Sequence, residues 1–141
     1  SVDAFIPDKY ISNTSNRIEA YKKIASLETR DDVSDLLDEL IDRYGDVPES
    51  VMGLIEISLM RVQAASLGIT EIVQRKDTVI FYGSKFSQIN MTEFLKKTKF
   101  RIVINSAGKQ YISAQIPVGG NSIDTMKSVL ETLLECKDKD E

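Results

Sequence analysis

The sequence predicts an α+β fold, in which three N-terminal helices pack with a mainly antiparallel sheet built from two hairpin-plus-helix units. Apolar residues recur with a helical period of about 3.6 as far as Gly68, and beyond it they alternate with a period of about two. The 141 residues, of which 42% are hydrophobic and 28% charged, suffice for one core. We therefore expect a single domain over residues 1–141, divided into an extended arm (1–13), a helical part (14–68), a hairpin-helix part (69–136) and a solvated tail (137–141).

The arm and the first helix carry large apolar side chains. The arm has four of them within seven positions, so we expect it to dock on the core rather than to fray. A helical pattern begins at Asn16, which together with Glu19 is typical of a capping box. The apolar residues of the arm are Phe5, Ile6, Tyr10 and Ile11, and those of the first helix are Ile18, Tyr21, Ile24, Ala25 and Leu27.

The second helix has both end signals and an apolar stripe. Thr29 is expected to cap it, and Asp31 and Asp32 in its first turn suit the positive end of the helix dipole. Gly45 is predicted to end it in a left-handed conformation. The stripe predicted to face the core comprises Val33, Leu36, Leu37, Leu40, Ile41 and Tyr44.

The third helix is predicted to be the central and most buried one. Pro48 suits its first turn, and Gly68 follows its last residue, Leu67. Its sequence is apolar on nearly every side, as is typical of a helix that has no solvent-facing stripe.

Beyond Gly68 the pattern predicts four strands and two helices. Lys76 and Asp77 form a tight hairpin between two β-branched and aromatic runs, and a second turn is expected at 106–108. The predicted strands are 69–75, 78–83, 100–105 and 110–116, and the predicted helices are 88–98 and a last one from Ser122.

The composition excludes several kinds of chemistry. The chain has no His and a single Cys, so neither a Ser-His-Asp nor a Cys-His nucleophile nor an ordinary zinc site is available. The lone Cys136 has no disulfide partner in the chain and is interpreted as a packing residue in a reducing compartment. No apolar run is long enough to span a membrane, and a cytoplasmic location is expected.

Acidic residues are concentrated in the second helix. Residues 31–46 carry seven acidic side chains against one basic side chain, Arg43. Four of the carboxylates recur at i, i+4, i+7 and i+11, opposite the apolar stripe, and are expected to face solvent. An exposed carboxylate row lacks the burial that catalysis needs, so we interpret it either as a solvated face or as a docking site for a basic partner. The four are Asp31, Asp35, Asp38 and Asp42, here called the acidic face.

A basic segment at residues 96–101 supports an alternative function. Lys96, Lys97, Lys99 and Arg101 flank Phe100, which is a composition suited to a nucleic-acid strand. The structural interpretation is that the lysines end a helix while Phe100 begins a strand and faces the core. An accessory domain that contacts nucleic acid therefore stays open as the alternative.

Three segments carry a resemblance to a known family. The runs DAFIPDKYI (3–11), RIEAYKKIAS (17–26) and ELIDRYGDVP (39–48), in this order, resemble the C-terminal domain of the bacterial transcription-repair coupling factors, also called Mfd. The resemblance covers nearly the whole chain, although the part after Gly68 matches only in pattern. Position 46 departs from the family, because Asp46 stands where a Pro or an apolar residue is frequent.

The resemblance implies a non-catalytic regulatory domain at the C-terminal end of a large ATP-driven DNA translocase. Such a parent displaces stalled RNA polymerase and recruits nucleotide excision repair, with ATP and Mg²⁺ bound in the motor and no cofactor in this domain. The domain is implied to be autoinhibitory, docking on the parent's N-terminal UvrB-like module and hiding the surface that binds UvrA. The isolated domain is expected to be a monomer. The implied partner-binding residues are Glu39, Asp42 and Arg43, with Asp35 and Asp38 at the periphery, and the first two are expected to accept bonds from basic residues of the partner.

Overall fold

The computed structural model describes residues 4–138, and the chain divides into two compact units, residues 1–62 and 63–141. The helices are α1 (Thr14–Ala25), α2 (Arg30–Tyr44), α3 (Glu49–Ser66), α4 (Met91–Lys97) and α5 (Ser122–Glu135). The strands are β1 (Ile69–Arg75), β2 (Thr78–Gly83), β3 (Ile102–Asn105) and β4 (Tyr111–Gln115). A 3₁₀ turn at Phe86–Gln88 precedes α4.

The described part of the arm, which begins at residue 4, is attached to the helices of the first unit. Ile6 and Ile11 are buried in the helical core, as the apolar content of the arm predicts. The backbone N–H of Ile6 donates to the hydroxyl of Tyr21 at 2.9 Å, which ties the arm to α1. Phe5 instead exposes 47% of its surface.

Helix α1 begins three residues earlier than predicted. Asn13 is its N-cap, and its side-chain oxygen accepts from the N–H of Asn16, so the predicted capping box at Asn16 is wrong. The predicted stripe is also partly wrong, because Ile18 and Tyr21 are 51% and 39% exposed. Burial centres on Ala20 and Ile24, which places Ile18 on the opposite side of the helix.

Helix α2 has the predicted start. The hydroxyl of Thr29 accepts from the N–H of Asp32, whose carboxylate accepts in turn from the N–H of Thr29. This reciprocal pair is a complete capping box. At the other end Gly45 has φ 85° and ψ −162°, a positive φ that favours glycine but not the left-handed helical conformation that was predicted.

Burial in α2 corrects one residue of the predicted stripe. Val33, Leu36 and Leu40 are buried, and Tyr44 is half-buried, but Ile41 is 50% exposed. Successive residues differ by about 100° around a helix, so a helix that centres Leu36 and Leu40 on the core turns Ile41 towards solvent. The inward position predicted for Ile41 is therefore wrong.

Helix α3 is the most buried of the three helices, as predicted. Val51, Ile55 and Leu59 expose at most 1% of their surface and form one i, i+4 row. The carbonyl of Pro48, just before the helix, accepts from the N–H groups of Val51 and Met52 at 3.0 Å. Gly68 follows the helix with φ 71°, a conformation that favours glycine.

The sheet is antiparallel throughout and has the strand order β1-β2-β4-β3, so the predicted α+β class is confirmed. The β1–β2 hairpin turns at Lys76 and Asp77, with Lys76 at φ 55°. The third strand begins at Ile102, and half-buried Phe100 precedes it rather than opening it as predicted. The predicted helix 88–98 is shorter, because Asn90 caps α4 by accepting from the N–H of Glu93 at 3.0 Å.

One face of this sheet is covered by helices. Val79, Phe81, Ile112 and Ala114 are fully buried on that face, where α5 packs against β2. Lys137, predicted as the start of the tail, forms an isolated bridge with Ile89, and residues 139–141 lie outside the described residues. The side chains of the opposite face alternate with the buried ones along each strand.

Candidate interaction surface

The acidic face lies on the solvent side of α2, as its spacing predicts. Asp31, Asp35, Asp38 and Asp42 are all exposed. Within residues 4–138, none of these four carboxylates has a hydrogen-bond or ion-pair partner for its side chain. The helix therefore presents a row of four negative side chains that form no ion pair with any described residue.

Glu39 lies to one side of that row and has a partner of its own. Its carboxylate accepts from the ammonium of Lys23 on α1 at 2.7 Å, and Lys23 also lies 3.5 Å from Glu19. The hydrogen bond that Lys23 donates to Glu39 is the main reason that the pKa of Lys23 is raised. Glu39 therefore joins two helices within the first unit and is a less available acceptor than Asp42.

The Lys23–Glu39 pair lies in an open groove between α1 and α2. The groove has a volume of about 380 Å³. Its lining alternates in charge, since Lys22 and Lys23 face Asp32, Asp35 and Glu39 across it. An exposed groove of mixed charge can seat the ends of charged side chains from a partner, and it lacks the desolvation expected of a catalytic carboxylate site.

Arg43 is exposed and belongs to the C-terminal end of α2. Its guanidinium lies 5.0 Å from the centre of the Tyr44 ring, and that ring packs at 5.8 Å against Tyr10 of the arm. This contact fixes the guanidinium at the C-terminal end of α2, where Arg43 follows Asp42 in sequence and provides one positive group.

Ile41 is the surface residue that the sequence interpretation missed. It is half exposed on α2, next in sequence to Asp42. Ile41 follows the fully buried Leu40 by about 100° around the helix, which puts it at the edge of the apolar stripe, where the sequence alone does not decide between core and solvent. An exposed isoleucine beside charged residues is the arrangement that protein interfaces use, with an apolar centre and a polar rim.

The structure separates the residues of the basic segment 96–101. Lys96 and Lys97 end α4, and Lys97 lies 3.8 Å from Glu135 of α5. Lys99 lies 5.4 Å from the centre of the Phe100 ring. Arg101 instead precedes β3, where its carbonyl accepts from the N–H of Gln115. The four basic residues thus belong to the end of α4 and to the segment that leads into β3.

The first unit, taken by itself, is helical and carries a row of four exposed carboxylates on α2. The second unit is a four-stranded antiparallel sheet with helices, so the chain is a small α+β protein. Within residues 4–138, no group of three or more Cys, Asp and Glu side chains is arranged to hold a metal ion. No helix in that range is long and apolar enough to cross a membrane.

The model of the TRCF domain family matches residues 1–94, and the chain belongs to this family. It is 36% identical over 101 residues to the transcription-repair-coupling factor of Staphylococcus haemolyticus strain JCSC1435, covering 70% of this chain and 9% of that protein. It is 41% identical over 80 residues to the factor of Staphylococcus aureus strain USA300, covering 57% of this chain and 7% of that protein. The chain thus corresponds to less than a tenth of these relatives.

A solved structure extends the likeness to the strand-rich half. The crystal structure of the C-terminal domain of a transcription-repair coupling factor matches with a TM-score of 0.82 and 26% identity, covering 97% of this chain and 90% of that one. The resemblance drawn from the three segments is therefore confirmed.

Proposed function

We propose that this chain is the C-terminal regulatory domain of a transcription-repair coupling factor and that it holds its parent in a resting state. The domain docks reversibly on the N-terminal UvrB-like module of the same protein and covers the surface that binds UvrA. The domain itself carries out no catalysis. ATP hydrolysis with Mg²⁺, DNA translocation and the displacement of RNA polymerase belong to other parts of the parent.

The observation that carries the proposal is the acidic face, whose four carboxylates have no ion pair within residues 4–138. Carboxylates at i, i+4 spacing repel each other by a few tenths of a kcal/mol per pair, so the helix bears a cost that a basic partner would relieve. Asp38 and Asp42 supply the acceptors for basic side chains of the partner. Arg43 fixes the alignment of the two surfaces at one end, and Ile41 provides an apolar contact. Glu39, which is already paired with Lys23, has a supporting role.

The energetics favour a contact that can be released. Exposed ion pairs contribute about 0–1 kcal/mol each, so several must act together. Salt screens such pairs over about 8 Å at physiological ionic strength, and the docked state should therefore weaken as salt is added. A regulatory contact of this strength yields to a competing partner without unfolding the domain.

The test is a double charge reversal in the full-length parent protein. Asp38→Lys with Asp42→Lys should raise basal ATPase activity and UvrA binding, because the docked state is lost. Asp42 is preferred over Glu39 for this purpose, since reversing Glu39 would also break its bond to Lys23.

A matched control changes the charge by the same amount elsewhere. Glu28 and Asp138 are exposed and lie outside the acidic face, so Glu28→Lys with Asp138→Lys should leave both activities at the wild-type level. If the acidic-face variant behaves like this control, α2 is not the docking surface.

A further inference from the structure

The sheet of the second unit has a face that its own helices leave open. The central row of this face crosses all four strands through the register partners Val73, Ile80, Ser113 and Val103. Val103 is 54% exposed, whereas Ser113 is 8% exposed. We call this surface the open sheet face, and it is distinct from the acidic face of α2.

Two tyrosines form the next row of the open sheet face. Tyr82 on β2 and Tyr111 on β4 are register partners, and their rings lie 5.9 Å apart in an edge-to-face arrangement. Both are half-buried although they lie on the two central strands. Aromatic rings on the central strands of an antiparallel sheet are stacking platforms for unpaired bases.

A cation stands directly over one of these rings. The ammonium of Lys109 lies 4.2 Å from the centre of the Tyr82 ring and 3.6 Å from the carboxylate of Glu71. Both charged side chains are more than half exposed, so their ion pair contributes little. Lys109 can therefore leave both Glu71 and the ring for a phosphate without a large loss, and the face of the Tyr82 ring is then free for a base.

The row on the other side of the centre adds two more cations. Arg75 is the register partner of Thr78 at the end of β1, and Arg101 is bonded through its carbonyl to Gln115 at the start of β3. Both arginines are exposed. Residues 69–111 as a whole carry eight Lys or Arg against three Asp or Glu, in a chain of net charge −4. The open sheet face thus has a central row with the two tyrosines, Lys109 and Glu71 on one side of it and two arginines on the other.

We infer that the open sheet face binds single-stranded DNA, with bases stacked on Tyr82 and Tyr111 and phosphates held by Lys109, Arg75 and Arg101. This activity goes beyond the proposed docking of α2 and does not depend on it. It also differs from the alternative based on residues 96–101, because it rests on the two tyrosines and uses only Arg101 of that segment. The partner is specified by chemistry: exposed aromatic bases joined by a flexible, negatively charged backbone.

Two features favour single-stranded DNA over other occupants. Duplex bases are stacked on each other and do not present their faces to a tyrosine platform. In the central row, three of the four side chains are aliphatic, which suits deoxyribose better than a sugar whose 2′-hydroxyl needs a hydrogen-bonding partner. A protein partner would gain little from the flanking arginines and lysine unless it were acidic.

The experiment measures binding of a fluorescein-labelled oligothymidine of about 15 nucleotides to the 141-residue chain by anisotropy at low ionic strength. Wild type should bind, and affinity should fall as salt rises. Tyr82→Leu with Tyr111→Leu should weaken binding by about fivefold or more, whereas Tyr82→Phe with Tyr111→Phe should retain it, because the stacking ring is kept.

The charged residues are tested by the dependence on salt. Arg75→Gln with Arg101→Gln should lower the slope of log affinity against log salt by about 1.4, or about 0.7 for each phosphate contact with a single strand. The control, Lys96→Gln with Lys97→Gln, removes the same charge from the end of α4 and should leave the slope unchanged. Circular dichroism of each variant separates loss of binding from loss of fold.

Three results would overturn the inference. The first is absence of oligothymidine binding by the wild-type chain at low salt. The second is an equal decrease of the salt slope in the arginine variant and in the lysine variant, which would indicate non-specific attraction to basic residues. The third is tighter binding of oligouridine of the same length, which would assign the face to RNA.

Discussion

Tyr10 links the arm to the C-terminal end of α2 through its hydroxyl. That hydroxyl donates towards the carbonyls of Gly45 at 3.0 Å and Leu40 at 3.3 Å. Burial raises its pKa, and the nearby Asp46 and Tyr44 raise it further. The neutral phenol is the form that these carbonyls need, since a phenolate has no proton to donate.

Replacing Tyr10 with Phe should lower the free energy of unfolding by about 1 kcal/mol near neutral pH, because two carbonyls lose their donor. The raised pKa of Tyr10 means that the folded chain holds this proton more tightly than the unfolded chain. Its contribution is therefore complete below about pH 10 and is lost as pH rises through the folded pKa. Urea unfolding of both proteins at neutral and alkaline pH checks this, since the difference between them should shrink on the alkaline side.

Cys136 should be inert as long as the chain is folded. It is 4% exposed, and burial raises its pKa although Lys97 acts in the opposite direction. A thiol reacts as the thiolate, so both burial and the raised pKa slow its attack on a disulfide reagent. A chromogenic disulfide should modify one thiol rapidly in urea and only slowly in native buffer. Rapid native modification would mean that the end of α5 opens easily.

At the scale of the element, α2 combines good stability signals with a charge arrangement that works against them. Its capping box and its buried Leu36 and Leu40 stabilise the helix, whereas the acidic face adds like charges at i, i+3 and i+4. If the charges of this row had been selected for helix stability alone, acidic and basic side chains would alternate along it. The cost is consistent with a face that has been kept for binding.

Asp38 is the position where this conflict can be measured. Asp38→Lys would replace repulsion of Asp35 and Asp42 with two attractive pairs, so the isolated chain should gain about 0.2–0.5 kcal/mol per pair in its free energy of unfolding. The same variant should lose docking in the full-length parent. A variant that is more stable yet derepressed separates a binding role from a structural one, whereas a destabilised Asp38→Lys chain would show that this carboxylate supports the fold.

Element types and order were predictable from periodicity and end signals, because Thr29, Gly68 and the Lys76-Asp77 turn act locally. The features that the sequence did not reveal depend on how a helix is rotated about its axis and on contacts between elements. Ile41 is apolar and adjacent to the stripe, and only the packing of α2 decides that it faces out. The bond between Lys23 and Glu39 joins residues sixteen positions apart on two helices, which no local pattern reveals.

At the scale of the whole chain, charge is separated along the sequence. Residues 1–62 carry thirteen acidic and seven basic side chains, whereas residues 63–141 carry nine acidic and eleven basic ones. Separation of this kind lets one chain attract partners of opposite sign on different surfaces. It also means that copies of the isolated chain attract each other weakly when salt is low.

The isolated chain should therefore be a monomer of 15.8 kDa at physiological ionic strength and should associate only weakly and reversibly when salt is lowered tenfold. Sedimentation velocity at the two ionic strengths measures this directly. Asp38→Lys with Asp42→Lys should abolish the low-salt association, since the two changes make the net charge of the acidic face more positive by four units. The control pair, Glu28→Lys with Asp138→Lys, should reduce the association less. A dimer that persists at high salt would contradict the electrostatic account, because apolar contacts such as those of Ile18, Tyr21 and Ile41 strengthen rather than weaken as salt rises.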